Sequence, residues 1–184
     1  FGSYSYKFNK DNYLNIFSIF DKVPFFGGAL SALRIYYSPD EVSTSARLEE
    51  YDKINIQRSN PDNPTLTYSL NMTREYDLKY KFTNSIVSKY KRVINSNYDI
   101  FKNNKFDFIT DFEPGLVKNI SENFSNSYSP NYLKWLSPKI TYNPVYKWSL
   151  VNANDTASTA DINSNAPLGI DVKLKLKDLI KKIY

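Results

Sequence analysis

Residues 66–82, LTYSLNMTREYDLKYKF, alternate between apolar or aromatic residues at even positions and polar or charged residues at odd positions. A period of two places the two sets on opposite faces of an extended strand, and only Arg74 breaks the apolar set. A strand of a globular domain is usually about five or six residues long, whereas one that crosses an outer membrane needs roughly nine to eleven. The length of this stretch therefore favours a strand of membrane-spanning size.

A second β-rich arm follows this stretch directly. Thr83-Asn84-Ser85 is a short polar turn, and residues 86–94, IVSKYKRVI, are rich in residue types that favour strands. Two such arms separated by a short polar turn predict a long β-hairpin over residues 66–94.

Further strands are predicted on both sides of this hairpin, over 3–9, 34–37 continuing in 42–51, 116–128, 139–151 and 168–176. Pro144 lies inside one of them and predicts a bulge or bend there. The expected fold is all-β, with about seven long strands in an antiparallel meander. The length of the strands favours an outer-membrane β-barrel.

The connections between these strands are predicted to alternate in length. Those after Phe82 and Tyr128 are short or compact, whereas longer polar connections follow Gln57, Ile94 and Val151, including loops over 58–64 and 152–167. Outer-membrane barrels have tight periplasmic turns and longer external loops. The similar segments 16–24 (IFSIFDKVP) and 174–184 (LKLKDLIKKIY) are separated by six predicted strands, which places both at the same, periplasmic edge.

Composition excludes several kinds of chemistry. The chain has no cysteine and no histidine, which removes disulfides, imidazole bases and the usual zinc sites. The acidic residues Asp107, Asp111 and Glu113 fit no EF-type loop, and no apolar run approaches the roughly 18 residues of a transmembrane helix. We therefore expect no enzyme activity, no catalytic residue, no cofactor and no metal site.

Tyrosine and lysine are interleaved in the hairpin, which is a pattern that single-stranded nucleic acid can use when both residue types share one face. Here Tyr76 and Tyr80 lie on the face opposite Lys79 and Lys81. The net charge of +5 is modest and does not itself argue for a nucleic-acid partner. We expect no nucleic acid to bind.

The aromatic face is interpreted either as the inner face of a soluble sandwich or as the lipid-facing band of a barrel with aromatic girdles. Strand length and connection lengths favour the barrel. The residues predicted to face lipid or the girdles are Tyr68, Leu70, Leu78, Tyr80, Phe82, Ile140, Tyr142, Tyr146 and Trp148. Those predicted to line the lumen are Glu75, Lys79, Lys81, Lys139, Thr141 and Lys147.

Arg74 is the exception on the aromatic face. An arginine at the lipid midplane costs on the order of 2–4 kcal/mol. Either the strand is long enough to place Arg74 outside the bilayer, or a bulge at this position moves its side chain to the other face.

Four segments of the chain resemble the SprA/Sov family, the outer-membrane translocons of the type IX secretion system in Bacteroidota: 21–50, 73–86, 111–149 and 168–184. The most specific similarities are R-x-Y-x-L-x-Y-x-F-T, here Arg74 to Thr83, and W-L-x-P-x-[IF]-x-Y, here Trp135 to Tyr142. The resemblance implies that residues 1–184 are a single segment of a much longer protein. Its large outer-membrane β-barrel has about 36 strands, so the strands of this chain do not close on their own.

The resemblance also implies a function, that of a protein-conducting channel in the cell outer membrane. Such a channel secretes folded proteins and has roles in type IX secretion and gliding motility. The implied partners are secreted cargo, other components of the secretion system and membrane lipid. Two alternatives stay open: another outer-membrane barrel, such as a nutrient receptor, a porin-like channel or a lipopolysaccharide exporter, or a soluble β-rich surface or adhesion module.

Overall fold

One large antiparallel sheet makes up most of the computed structural model, which describes residues 2–8, 12–20, 33–58, 60–104, 114–130, 135–151 and 159–183. The strands are β1 (Gly2–Lys7), β2 (Tyr13–Leu14), β3 (Ile35–Tyr36), β4 (Glu41–Gln57), β5 (Asn60–Lys81), β6 (Ile86–Asn97), β7 (Leu116–Tyr128), β8 (Leu136–Tyr142), β9 (Val145–Leu150), β10 (Ala160–Asn165) and β11 (Leu168–Leu174). Short 3-10 turns cover Ile16–Phe20 and Asp99–Phe101, and helix α1 covers Leu176–Ile183.

The nine strands of the large sheet occupy seven positions. Strands β1, β4, β5, β6 and β7 are neighbours in that order, and β7 then pairs with β8 at one end and with β9 at the other. In turn, β8 pairs with β11 and β9 with β10. The predicted all-β antiparallel meander is confirmed, and the sheet is not closed.

Two prolines at neighbouring positions of the sheet interrupt these last strands. Pro144 separates β8 from β9, and Pro167 separates β10 from β11. Proline has no backbone N–H to donate to a ladder, but other groups continue the pairing: the Phe124 N–H donates to the Pro144 carbonyl (2.9 Å) and the Asn143 N–H to the Pro167 carbonyl (3.1 Å). The register with β7 is the same on both sides of Pro144. The bend expected at Pro144 is therefore an interruption of the strand that leaves its pairing register with β7 unchanged.

The longest strands, β4 and β5, continue well beyond their neighbours. β6 ends at Asn97, which pairs with Asn71, so the outer parts of β4 and β5 form a two-stranded ribbon that is exposed over most of its length. The loop predicted over 58–64 is wrong, because β5 already begins at Asn60 and Gln57 pairs with it. The residues expected to form an irregular loop between β4 and β5 therefore belong largely to this ribbon.

A second predicted loop, over 152–167, is also corrected in part. Residues 160–165 form β10, a mostly polar strand that is exposed along its length and pairs with β9. Local sequence carries little strand signal here, so cross-strand hydrogen bonding decides the conformation.

The opposite edge of the sheet carries the turn at residues 83–85, α1 and the connection between β1 and β4. The small β2–β3 pair lies here, because Ile35 bridges to Thr83 and the Tyr36 N–H donates to the Phe82 carbonyl. The turn at Ile16–Phe20 and α1 therefore occur at the same edge, as the even number of intervening strands predicts. Within the described ranges, no helix is long and apolar enough to cross a membrane.

Apolar burial is confined to a small site at the end of β6. Among the described residues, the only buried large hydrophobic side chains are those of Leu70 and Tyr98, each 1% exposed. The Tyr98 N–H donates to the Leu70 carbonyl (2.7 Å), and the Leu70 N–H donates to the Asp99 carboxylate (2.5 Å). The turn at Asp99–Phe101 is thereby fixed to β5.

Gly115 allows β7 to begin beside Tyr98. Its φ is +65°, and an added Cβ would lie 2.8 Å from both the Asn97 carbonyl oxygen and the Tyr98 ring. A larger residue would be strained and would displace Tyr98.

We predict that Gly115→Ala destabilises the chain by roughly 1–3 kcal/mol, the usual cost of a non-glycine residue held in a sparsely populated backbone region. The measurement is the midpoint of urea unfolding in detergent, followed by intrinsic fluorescence. Gly2→Ala is the matched control, because nothing lies within 4 Å of an added Cβ there. Equal midpoints for the two variants would contradict this account.

Candidate functional site

The candidate functional site is the sheet itself, because the pairing register separates its side chains into two faces. Partners in a ladder share a face, and the paired residues are even with even and odd with odd in β1, β4, β5, β8, β9, β10 and β11, except where a shift after Asn55 places Gln57 opposite Asn60. A shift between Asn95 and Ser96 moves Val117 opposite Ser96. We call the even-numbered side, with Val117, the apolar face and the other side the polar face.

The predicted residues separate onto these faces as their numbering requires. Eight of the nine residues predicted to face lipid lie in strands on the apolar face, and Phe82 follows β5 with its ring centroid 4.1 Å from that of Tyr80. All six residues predicted to line the lumen lie on the polar face. Which medium each face contacts stays a prediction.

Nothing in the described part of the chain packs over most of the apolar face. Leu168 and Ile170 in β11 are 64% and 65% exposed, and Ile162 in β10 is 66% exposed. The same face exposes Tyr4 and Tyr6 at the other side of the sheet. Monomeric soluble proteins rarely expose contiguous apolar surfaces of this extent, so this face is an interaction surface.

Two of the predicted lipid-facing residues are covered by the chain itself. Leu70 is buried beside Tyr98 and Asp99, so it is not available to a membrane and its prediction is revised. The Tyr80 hydroxyl donates to the Tyr36 carbonyl (2.7 Å), which attaches the β2–β3 pair to this end of β5. Both contacts join residues far apart in the chain, which the local pattern could not indicate.

Arg74 remains on the apolar face. It pairs with Ala46 and Ile94 in an unbroken register, so the bulge considered for this position is wrong. Its Nη2 donates to Ser96 Oγ (2.8 Å) and to the Pro114 carbonyl (3.1 Å). The guanidinium is thus held against the backbone at the start of β7.

A line of polar side chains crosses the apolar face in register. We call it the polar row, and its members, from β1 to β10, are Tyr4, Thr44, Tyr76, Arg92, Glu122, Tyr146 and Ser164. At its centre Arg92 Nε lies 3.3 Å from Glu122 Oε1, as an ion pair and not as an aligned hydrogen bond. Tyr90 also hydrogen-bonds to Glu122, so the central charges are partly compensated.

The strand ends are displaced in one direction, by unequal steps, at the edge that carries the 83–85 turn. Counted from the polar row, β1 and β4 extend three residues towards this edge, β5 five, β6 and β7 six, and β8 and β11 ten. The edge thus advances seven residues over six steps between strands. With about 3.3 Å per residue and 4.8 Å between strands, this line is inclined by about 40° to the perpendicular of the strands.

The polar face carries both signs of charge and short polar ladders. Lys91 Nζ lies 2.9 Å from Glu75 Oε2. Thr73 donates to Asn95 Oδ1 (2.7 Å) and Asn95 in turn donates to Asn119 Oδ1 (2.6 Å). Sequence analysis missed this asparagine ladder, although its members occupy odd positions of β5, β6 and β7. It fixes the register of the three strands without apolar contacts.

No group of three acidic residues is arranged to hold a metal ion in the described ranges. Asp107, Asp111 and Glu113, considered above for a cation site, lie outside those ranges. No family model matches the chain, and no curated protein or solved structure matches it either.

We predict that Glu122→Gln destabilises the chain in detergent more than Glu75→Gln does. The two carboxylates belong to cross-strand ion pairs of comparable exposure on opposite faces, and we expect detergent to cover only the apolar face, on which Glu122 lies. An exposed pair contributes about 0–1 kcal/mol, and we expect a loss of about 1–2 kcal/mol for Glu122→Gln because Arg92 is left without its partner. Urea unfolding of both variants measures the difference. Equal losses would show that the apolar face stays hydrated.

Proposed function

We propose that this chain forms part of the wall of a large outer-membrane β-barrel, with the apolar face towards lipid and the polar face towards a wide aqueous lumen. We further propose that the barrel conducts folded proteins, as in type IX secretion and gliding motility. Transport requires no catalytic residue and no cofactor in this segment.

The stagger of the strand ends carries the barrel proposal. Closing a sheet into a barrel requires tilted strands and a fixed displacement of register between neighbours, and the strands of outer-membrane barrels tilt by roughly 35–45°. The strand ends here are inclined by about 40°, from the spacings of an ordinary sheet. If these ends follow one membrane surface, the strands have the tilt of an outer-membrane barrel.

One tryptophan fits the proposed position of the membrane. Trp148 lies on the apolar face of β9, and outer-membrane barrels carry aromatic girdles on both sides of an apolar band about 25 Å tall. Trp135 directly precedes Leu136 and continues the ladder opposite Lys175, which places it on the polar face.

Arg92 and Arg74, both on the apolar face, have partners within the sheet. Arg92 forms an ion pair with Glu122, and Arg74 donates to the neutral Ser96 hydroxyl and Pro114 carbonyl. An arginine is costly in lipid, and these contacts lower that cost, although the buried Arg74 Nε has no hydrogen-bond partner.

The polar face is compatible with an aqueous lumen. Lys79, Lys139 and Lys147 are exposed on it, and the interior of an outer-membrane channel is polar. The protein-conducting function itself rests on the resemblance of Arg74–Thr83 and Trp135–Tyr142 to the SprA/Sov motifs.

The first test compares two neighbouring residues in β5. Leu78→Cys and Lys79→Cys would each be the only cysteine of the chain, on opposite faces. In outer membranes, we expect a water-soluble maleimide to label position 79 and a lipid-borne quencher to reach a probe at position 78. Labelling of both positions from water, with release of the protein by carbonate, would support a surface or adhesion module instead.

The second test concerns orientation in intact cells. Asn84 in the short turn and Arg58 at the tip of the β4–β5 ribbon are exposed at opposite edges of the sheet. We expect an impermeant maleimide to label Arg58→Cys and not Asn84→Cys until the outer membrane is permeabilised. The reverse pattern would invert the proposed orientation.

The third test separates a translocon from other barrels. A photocrosslinker attached at Lys79→Cys should form adducts with secreted proteins during export, because this position faces the lumen, and the same crosslinker at Leu78→Cys should form none. If the face test succeeds but position 79 yields no cargo adducts, the barrel has another role, such as nutrient uptake.

A further inference from the structure

We propose that α1 binds the membrane surface at the edge of the sheet where β8 begins, through anionic phospholipid headgroups. This inference rests on the proposed function, since it presumes that the sheet crosses a membrane. It adds a specific lipid contact outside the barrel wall.

The sequence of α1 separates apolar from basic residues. Apolar residues occur at positions 176, 179, 180 and 183, a spacing that places them on one side of a helix. Residues 174–184 contain four lysines and one acidic residue, Asp178. A basic amphipathic helix is typical of segments that lie in the membrane interface.

The backbone fixes where this helix begins. The Lys175 N–H donates to the Trp135 carbonyl (2.7 Å), and the Asp178 N–H donates to the Lys175 carbonyl (3.0 Å). The residue before α1 is therefore hydrogen-bonded to the residue before β8. This contact places the first turn of α1 at the edge of the sheet where β8 begins.

The apolar side of α1 is uncovered and continues the apolar face. Leu176 and Ile180 are 63% and 58% exposed, and they follow the exposed Val172 and Leu174 of β11. A surface that covers the apolar face of β11 would reach α1 next. If lipid covers β11, the same membrane is the nearest apolar phase for Leu176 and Ile180.

A second segment at this edge has the same property. Ile16 and Ile19, in the turn between β2 and β3, are also exposed, and the β2–β3 pair is attached to the same edge through Tyr36. Two separate segments that expose isoleucine at one edge are explained by a single planar partner. The lysines of α1 specify that this partner carries negative charge.

The experiment uses the parent protein that contains this segment, with any cysteine outside the segment replaced, reconstituted in vesicles of phosphatidylcholine alone or mixed with phosphatidylglycerol. The chain has no cysteine, so Ile180→Cys, Lys177→Cys and Ile170→Cys each carry one fluorescent probe. Brominated lipids then report contact and depth. We expect strong, shallow quenching at 180 with phosphatidylglycerol, severalfold weaker quenching at 177, and deep quenching at 170 in both lipids.

The controls distinguish this inference from the barrel proposal. Adding Lys175→Glu and Lys177→Glu to Ile180→Cys should reduce quenching at 180 severalfold, while the same pair added to Ile170→Cys should leave quenching at 170 unchanged. Two results would overturn the helix proposal alone. In the first, the probe at 170 is quenched while the probe at 180 stays in water in both lipids. In the second, quenching at 180 is the same whatever the lipid charge and is unchanged by the two lysine substitutions. A lack of quenching at both 170 and 180 would overturn both proposals.

Discussion

The separation of the two faces depends on a shared register between neighbouring strands. A slip of one residue in any ladder would move a whole strand's apolar side chains to the other side, yet the ladders from β1 to β11 keep even residues opposite even ones apart from the shifts near Asn55 and Asn95. Polar contacts contribute to this register, because Thr73, Asn95 and Asn119 form hydrogen bonds across three strands. The faces therefore arise from pairing between strands as much as from alternation within each strand.

The sheet contains few of the apolar contacts that stabilise a soluble domain. Burial of apolar surface is the main favourable term in folding, and only Leu70 and Tyr98 are buried large hydrophobic residues in the described part of the chain. The backbone, by contrast, is extensively hydrogen-bonded. In a membrane only helices and closed barrels satisfy their own backbone groups, so the open edges of this sheet would have to pair within the proposed barrel. Under that proposal lipid, and not a core, covers the apolar face.

Much of the fold could be predicted from local sequence, and the exceptions have physical reasons. The period of two in residues 66–82 is a local property, so strand β5 and the assignment of Leu78 and Lys79 to opposite faces followed from it. Prolines at 61 and 64 suggested a loop, but the outer part of β5 has no neighbour beyond β4, and proline is tolerated at such an edge. β10 depends on its pairing with β9. The burial of Leu70 and the contacts of Arg74 depend on residues far along the chain, which a periodic pattern does not reveal.

The outer edges of the sheet lead to the same conclusion as its faces. Long unpaired strand edges are sites of aggregation, and soluble proteins protect them with short strands, bulges or covering segments. In the described chain β11 and β10 have a strand partner on one side only, as does β1 at the far side, and β11 exposes Leu168, Ile170 and Val172 along its length. A covering sheet would bury the apolar face but leave these edges open. Closure into a larger barrel pairs both edges and places the face in lipid, so one arrangement satisfies both requirements.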